Sequence, residues 1–390
     1  TLKPIQFAHT SIHEVCFFLY ISTRFNQILI ITNQKTTIMK KCNLIFMVVF
    51  TLSFATKAQD GFEGILLAEG SDVNKLMEGY FAPAMEGFIY GMNNGWAHTA
   101  KVHKVLGFDL TIGLSASAVP SEREIFSLAG LSSISGANSA PTFAGEDTQT
   151  ALTVTRTLTI QDASSPAFGQ TQTVTADLTM PGGIKDDLIL NSIPAPIVQV
   201  NVGLPWEMEG MLRLLPKTDV GDDGGQINML GLGLKKEITS WFGPMEKTPL
   251  HVSLLAAYTK MNVTYGIEDV NSGDLTINNG GAEFDLKAFT VQAIASLNFP
   301  IINLYGGFGY NSGSSSLSMK GTYQGNYNYS INGQQYTETI ALSTPDLSFN
   351  ASGLSTTVGA RLSLGFFKIF GSYTLQEYNT LNAGIAISIR

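Results

Sequence analysis

Polar and apolar residues alternate with a period of two along much of this 390-residue chain. Between Leu106 and Ser115, one face is Leu, Phe, Leu, Ile and Leu, and the other is Gly, Asp, Thr, Gly and Ser. The pattern recurs in 198–204, 289–298 and 381–390. Such strands are typical of a transmembrane β-barrel, in which a closed ring satisfies every backbone group inside the bilayer. The apolar face must point to lipid, because the opposite choice would place Asp109 there.

Connection lengths favour the same architecture, because these barrels have short periplasmic turns and long extracellular loops. The tight connections are 205–206, 299–300 and 365–366, and the long polar ones are 119–194, 217–226, 266–281 and 312–350. We therefore predict an all-β fold, a transmembrane antiparallel β-barrel over residues 105–390. The strand number must be even and lies between about 10 and 14, and we expect 12.

Two Thr-rich alternating stretches, Ala151–Ile160 and Thr171–Met180, lie inside the longest predicted loop. They form either two further barrel strands or a projecting hairpin. Arg156 shares the apolar face of the first stretch, and a lipid-facing arginine at the bilayer midplane costs about 2 to 4 kcal/mol. It is tolerated only near an interface or outside the membrane.

The segment that precedes the first strand, residues 59–104, has a different pattern. Apolar residues recur there at near-helical spacing after Ser71, which can cap a helix. They are Leu76, Tyr80, Met85 and Phe88. Pro83 interrupts the spacing, and Trp96 follows in a predicted turn. We predict a short N-terminal helical hatch, Trp96 included, that plugs the lumen from the periplasmic side or rests at the periplasmic rim.

The N-terminal residues predict export. Met39–Lys41 is basic, Asn43–Phe54 is apolar, and Thr56–Ala58 resembles a signal peptidase site. We predict a cleaved signal peptide over 39–58; the alternative, a membrane anchor, needs about 20 apolar residues. Residues 1–38 are interpreted as a spurious upstream extension. The predicted location is the outer membrane of a Gram-negative cell, with outer-membrane lipid and the barrel-assembly machinery as partners.

Charge narrows the classes of function. Removing residues 1–58 takes six of the 23 Lys and Arg and one of the 31 Asp and Glu, which leaves a net charge of −13 (17 against 30). So acidic a chain is a poor partner for nucleic acid, and we expect none. Cys16 and Cys42 both lie in the removed part, so no disulfide is expected.

Few residues are available for catalysis or for a cofactor. The histidines after residue 58 are His98, His103 and His251. The spacing of the first two suits neither a helix face nor one strand face as metal ligands, so we predict no metal site. His251 and Ser253 share a strand face, as in barrel lipases, but no nearby motif orients them. We predict no cofactor and no enzymatic activity.

Charged residues recur on the inward faces of the strands. They are Asp109, Glu209, Arg213, Lys235, Arg361 and Lys368. These residues either form a closed, salt-bridged interior or line a permeation path whose selectivity they set. Gly231 and Gly233 are interpreted either as small residues that face the lumen or as residues at a point of close approach.

Aromatic residues cluster at the predicted periplasmic ends of the strands. The tryptophans there are Trp96, Trp206 and Trp241, with phenylalanines close by in the sequence. A girdle of aromatic side chains at the membrane interface explains this placement.

Several short segments carry a resemblance to known proteins. They are Asn74–Tyr80, Asn93–Trp96, Lys104–Leu110, Pro194–Gln199, Gly203–Pro205, Tyr305–Asn311 and Tyr373–Asn379. The chain resembles an uncharacterised family of Bacteroidota outer-membrane proteins over nearly all of 59–390, and this family brings no known activity. The order of a hatch and then a barrel is also similar to FadL-type transporters of hydrophobic compounds, although none of their motifs can be matched in this chain.

Two functional hypotheses follow. The first is a passive, porin-like channel, or a binder or transporter, for small molecules that include hydrophobic ones. The alternative is a closed structural or surface-interaction barrel that presents its extracellular loops and transports nothing. An outer-membrane hydrolase is a third hypothesis, and the sequence does not define a ligand for any of them.

Overall fold

A computed structural model describes residues 65–220, 225–267, 269–272 and 275–389. The predicted extension 1–38 and signal peptide 39–58 lie outside the described residues. In the described part of the chain, the α-helix α1 (Gly70–Asn93) precedes all the strands. No helix in these ranges is long and apolar enough to cross a membrane.

All of the strands follow α1 in the chain. They are β1 (Phe108–Ala118), β2 (Ile125–Ser127), β3 (Ile134–Ser135), β4 (Ser139–Pro141), β5 (Thr150–Thr159), β6 (Thr171–Met180), β7 (Ser192–Leu204), β8 (Met208–Val220), β9 (Gly225–Glu237), β10 (Leu250–Ile267), β11 (Val270–Ser272), β12 (Leu275–Asn298), β13 (Ile302–Ile331), β14 (Gln334–Ala341), β15 (Asp346–Leu364), β16 (Phe367–Leu375) and β17 (Thr380–Ile389).

Ten of these strands close into a ring with antiparallel pairing at every step. The order around the ring is β1, β7, β8, β9, β10, β12, β13, β15, β16 and β17, and β17 pairs with β1. β11 and β14 extend the sheet to 12 hydrogen-bonded strands but lie outside the ring. The predicted transmembrane antiparallel barrel is therefore confirmed. The expected number of 12 holds for the sheet, whereas the wall itself has ten strands.

The two Thr-rich stretches form the projecting hairpin and not barrel strands. β5 pairs with β6 on one side and with β3 on the other in a separate sheet, and β2 pairs with β4. All five strands belong to residues 119–191, which we call the outer segment. Arg156 is accommodated there because its guanidinium donates to the hydroxyl of Tyr327 at 3.2 Å and lies over the same ring.

Outward side chains of the ten ring strands form an apolar belt. Exposed members of this belt include Phe108, Ile112, Leu204, Leu212, Leu232, Leu254, Val291, Phe308, Leu362, Ile369 and Ile385. The residues between them, such as Asp109, Thr111 and Ser115 on β1, are buried inside the ring. The predicted faces of the strands are confirmed, because contact with lipid on one side imposes the period of two.

The two ends of the barrel differ. The short-turn end carries connections 205–207, 299–301 and 365–366 together with a 3₁₀ segment within 238–249, and the long-loop end carries the outer segment. Trp206 and Trp241 are 82% and 68% exposed at the short-turn end, where the girdle was predicted. Trp96 is an exception to that prediction, because it is 2% exposed and lies inside the barrel.

The wall is much taller on one side. A tilted strand needs about 9 to 11 residues to cross a membrane, and β1, β16 and β17 have 11, 9 and 10. β12 and β13 have 24 and 30 residues and extend far beyond the belt at the long-loop end. Much of the predicted loops 266–281 and 312–350 is therefore strand. The loop prediction failed there because the pattern is reversed outside lipid: the outward residues are polar, and apolar residues such as Leu347 and Phe349 are buried on the inward face.

The helix differs from its predicted form in two ways. Its N-cap is Glu69 and not Ser71, and Pro83 lies inside a helix that continues through it. An internal proline costs about 3 kcal/mol or more, which tertiary packing offsets, since Leu76, Tyr80 and Phe88 are all buried.

The end of the barrel from which the helix enters was also predicted wrongly. The side chain of Asp72, in the first turn of α1, contacts the outer segment at the long-loop end. At the other end of the helix, Asn93 donates to the carbonyl of Ser312 at 3.0 Å. Ser312 follows Tyr310, the last apolar outward residue of β13. The helix therefore descends from the long-loop end toward the belt, and not upward from the periplasmic side.

A single charge placed on the belt should be far more costly than one placed above it. Ala293 is the central outward residue of the belt on β12, and Ala293→Arg should lower the free energy of unfolding in lipid vesicles by about 2 to 4 kcal/mol. Asn350, an exposed outward residue of β15 above the belt, provides the control. Asn350→Arg should change it by less than about 0.5 kcal/mol. Equal losses for both variants would refute the position of the belt.

Candidate functional site

The lumen of the ring is occupied by the chain's own N-terminal segment. After α1, residues 94–107 cross the ring without regular structure and reach the short-turn end, where Leu106 donates its backbone N–H to the carbonyl of Gly203 at 2.9 Å. An extended segment of this length reaches about 45 Å, more than the roughly 25 Å height of the lipid-facing band. We call residues 65–107 the plug. The predicted hatch side chains are all buried in it, at most 8% exposed: Leu76, Tyr80, Met85, Phe88 and Trp96.

Arg213 of β8 holds the upper part of the plug. Its guanidinium donates to the carbonyls of Met92 and Asn94 at 2.9 and 3.1 Å and to the side-chain oxygen of Gln199. Gln199 in turn donates to the carbonyl of Trp96 at 2.9 Å. The last carbonyls of a helix lack partners within the helix and carry partial negative charge. Arg213, fully buried, therefore acts as a C-terminal cap of α1 supplied by the barrel wall.

Trp96 fits into a gap that two glycines leave in the wall. The guanidinium carbon of Arg213 lies 4.1 Å from the centroid of the Trp96 ring. A Cβ at Gly231 or Gly233, on the neighbouring strand, would be 3.0 to 3.1 Å from indole carbons. These distances agree with the interpretation of a close approach. Larger residues at either glycine would displace the indole.

Buried charges hold the lower part of the plug. Lys235 forms an ion pair with Glu209 at 2.8 Å and donates to the carbonyl of Thr99. The second oxygen of Glu209 accepts from both the backbone N–H and the Nδ1 of His103, at 3.0 and 2.8 Å. Glu237 accepts the N–H of Val102 at 3.0 Å. Buried charges are tolerated because each one is paired and hydrogen-bonded.

Asp109 and Arg361 contact the middle of the plug through its histidines. The Nη1 of Arg361 lies 3.0 Å from the Nδ1 of His98. An arginine can only donate, so this Nδ1 accepts, and the proton of a neutral His98 is on Nε2. That nitrogen lies 3.4 Å from the carboxylate of Asp109, and the Nε2 of His103 lies 3.4 Å from the same oxygen. His98 and His103 are five residues apart, a spacing that does not suit one face of a helix or a strand. In the extended plug, both side chains can lie beside the carboxylate of Asp109.

Five of the six predicted lumen charges thus contact the plug. Lys368 is the sixth, and it lies at the rim, where its Nζ donates to the carbonyl of Gly365 in the turn between β15 and β16. Sequence reasoning missed Gln199, Glu237 and the two histidines of the plug as members of this network. Gln199 and Glu237 could have been identified, because both occupy inward-facing positions on their strands.

The outer end of the plug is attached to the outer segment. One carboxylate oxygen of Asp72 accepts four hydrogen bonds, from the backbone N–H and the hydroxyl of both Ser132 and Ser133, at 2.7 to 3.2 Å. Burial opposes ionisation of this carboxyl, but the bonds from the serines outweigh it and lower the pKa of Asp72. Below it, the hydroxyl of Tyr80 donates to the carbonyl of Gly182 at 2.9 Å.

His251 and Ser253 do not form a catalytic pair. His251 lies 2.6 Å from Glu237, as a base held by an acid would. The hydroxyl of Ser253 is fully buried and has no hydrogen-bond partner in the described ranges, so the contact between nucleophile and base is missing. Within those ranges, no group of three or more His, Cys, Asp or Glu side chains is placed to hold a metal ion.

Comparison with solved structures gives distant matches. Ail, the attachment invasion locus protein of Yersinia pestis, is 10% identical, with 73% of this chain and 99% of that chain covered and a TM-score of 0.23. The translocator domain of autotransporter NalP from Neisseria meningitidis is 10% identical, with 73% and 88% covered and a TM-score of 0.27. A mutant porin of Rh. blastica is 7% identical, with 73% and 99% covered and a TM-score of 0.12. TM-scores this low carry no argument about function.

The ring, the belt and the buried plug define a class of protein, an antiparallel β-barrel filled by its own N-terminal segment. No curated protein matches the chain. A family model matches residues 39–389, and the chain belongs to that family, a family of unknown function (DUF6588).

Loss of Arg213 should loosen the plug. Arg213→Ala leaves the carbonyls of Met92 and Asn94 without partners in a dry lumen, and the free energy of unfolding in vesicles should fall by about 3 to 5 kcal/mol. Arg213→Lys should restore only part of it, since one ammonium cannot replace the planar fork. The control is Arg123→Ala, which removes a half-exposed ion pair to Glu86 and should cost less than about 1 kcal/mol. A cost for Arg213→Ala no larger than that of the control would refute the cap.

Attachment of the outer segment should weaken in acid. Because the pKa of Asp72 is lowered in the folded protein, its contribution to stability is present above the ordinary aspartate pKa of about 3.9. That contribution is lost as the pH falls through the lower folded value. Hydrogen exchange at the backbone N–H groups of Ser132 and Ser133 should report this loss as reduced protection. Asp72→Asn provides the control at each pH, and an identical pH dependence of protection in that variant would contradict the assignment.

Proposed function

We propose that this protein resides in the bacterial outer membrane as a barrel closed by its own plug. The apolar belt supports a membrane location, since the outward residues of the ring strands within it are apolar, as contact with lipid requires. The aromatic side chains at the short-turn end suit the periplasmic interface. Under this proposal the outer segment and the tall wall are extracellular, as in barrels with short periplasmic turns, and lipid and the barrel-assembly machinery are the expected partners.

The closed state is supported by the hydrogen bonds that side chains of the barrel wall make with the backbone of the plug along its path. Wall side chains bind the carbonyls of Met92, Asn94 and Trp96 in the upper part. The N–H of Ala100 and the N–H of Val102 donate to Ser296 and Glu237 lower down. If the plug moved and water did not take its place, the donors and acceptors of these buried hydrogen bonds would be left unsatisfied. A ten-stranded ring is little wider than an eight-stranded one, which side chains alone fill.

The role that fits a closed barrel is presentation of its extracellular part. The outer segment and the residues just before α1 both contact the extended β13 through buried polar atoms: Tyr327 donates to the carbonyl of Leu67 at 2.9 Å, and Ser165 shares a 2.7 Å bond with Tyr329. These contacts make the outer region an ordered structure on a rigid base, as a surface-interaction protein requires. We propose no catalytic activity for it.

A gated conduit is the second candidate. The lumen wall has many polar groups, with buried Asn201, Thr259, Thr290 and Asn382 beside the charged residues, and an apolar patch formed by Met211, Leu255, Ala257 and Ile294. Withdrawal of the plug would expose a hydrated path lined by these groups. Passage of hydrophobic molecules, as the FadL-like layout suggested, fits this polar wall less well.

Conductance in planar bilayers separates the two functions. The intact protein should show no channel openings, whereas a variant lacking residues 65–101 should conduct steadily, because the ring remains and the lumen is empty. A heat-dependent shift in gel mobility provides the control that each protein is a folded barrel. Stable openings of the intact protein, as frequent as those of the truncated one, would contradict the closed barrel and favour the conduit.

A further inference from the structure

On the tall side of the wall, the outward face changes abruptly from apolar to basic. Tyr258 of β10 and Phe289 of β12 lie opposite each other at the outer edge of the belt and are 45% and 43% exposed. The next outward residues toward the long-loop end are Lys260 and Lys287. They also lie directly opposite each other in the antiparallel register, and both are exposed.

Two lysines at directly opposed positions are unfavourable on their own. Like charges across an antiparallel pair repel and destabilise it. The nearby carboxylates are shared with other groups, because Glu283 forms an ion pair with Lys320, and Asp285 accepts from Asn262 at 3.2 Å. In the described ranges, the ion pairs of lysines involve Lys185, Lys235, Lys236 and Lys320 and neither of the opposed lysines.

The two lysines line a cavity of about 290 Å³ together with Asp285 and a row of serines from the neighbouring strands. Ser314 pairs with Lys287 in the β12–β13 register, and Ser316 of β13 pairs with Ser348 of β15. This volume is near the lower limit for small-ligand sites. Two ammonium groups, adjacent hydroxyls and one carboxylate leave the cavity with a net positive charge and many donors.

We propose that this cavity binds the phosphate of a lipid headgroup in the leaflet that surrounds the long-loop end of the barrel. Its position selects a lipid over a free ion, because it lies one outward residue above the aromatic edge of the belt, the depth at which headgroups begin. Anionic headgroups attract lysines at a membrane surface. The bound phosphate would relieve the repulsion between Lys260 and Lys287 and accept hydrogen bonds from the serines. The proposal rests on the membrane-spanning barrel but not on whether the lumen is closed.

Retention of single lipids by the purified barrel in neutral detergent tests the proposal, with native mass spectrometry as the measurement. Phosphatidic acid and diacylglycerol with identical acyl chains differ only in the phosphate, so their ratio isolates it. The intact protein should retain phosphatidic acid in excess. Each lysine near an anionic surface contributes about fivefold in affinity, so Lys260→Gln with Lys287→Gln should reduce the excess about 25-fold. Both positions are exposed, so the double variant should keep the heat-dependent gel shift of a folded barrel.

The control variant is Lys104→Gln, the same charge change on an exposed lysine at the short-turn end. It should retain phosphatidic acid as the unmodified protein does. Equal retention of the two lipids by the unmodified protein would overturn the proposal, and so would equal losses in the double variant and the control. Displacement of the lipid by an equal concentration of inorganic phosphate would also overturn it, since the site would then bind a free anion. If the intact protein conducts and still retains phosphatidic acid, the closed lumen is contradicted and the lipid site is not.

Discussion

The end of α1 inside the barrel is the constraint on which the rest of the structure depends. A helix that ends in a dry lumen leaves carbonyls without partners, and the chain supplies Arg213 from the wall to satisfy those of Met92 and Asn94. Burial of an arginine is itself costly unless its donors and charge are compensated. The hydrogen bonds to the carbonyls compensate the donors of Arg213. The ring of Trp96, which lies against the guanidinium, compensates part of its charge. The plug and the wall therefore stabilise each other in this arrangement.

The asymmetric wall follows from the same helix. α1 buries one face along its length but lies mainly beyond the belt, so that face needs cover outside the membrane. The extended strands β12 and β13 provide that cover on one side, where Phe284 packs against Phe88 with ring centroids 5.9 Å apart. The outer segment provides it on the other side, where Phe143 lies 6.1 Å from Tyr80. The long strands and the folded outer segment thus cover the helix on two sides beyond the belt.

The inward and outward positions of the strands, which contact with lipid determines, could be predicted from the sequence. The path of the plug and its contacts with the wall could not. Contact with lipid fixes the parity of each strand locally, so the inward placement of Asp109 and Glu209 could be predicted from alternation alone. The entry of α1 from the long-loop end could not, because it depends on pairings distant in sequence, such as Asp72 with Ser133. Trp96 was assigned to the girdle for the same reason, since nothing near it in sequence indicates the gap at Gly233. Outside the lipid the outward face is polar and apolar side chains such as Tyr327 and Phe349 are buried on the inward face, which reverses the pattern of the belt. This reversal explains why 312–350 was predicted as a loop where the structure has strands.

Accessibility of single cysteines in intact cells tests the central claim, that the chain enters the barrel from the long-loop end and crosses the lumen. The segment after residue 58 contains no cysteine, so each engineered one is alone there. Glu69, just before α1, and Glu207, in a tight turn at the short-turn end, are both exposed. A membrane-impermeant maleimide should label Glu69→Cys on intact cells and should label Glu207→Cys only after the cells are broken. Labelling of Glu207→Cys from outside, with Glu69→Cys protected, would contradict the account.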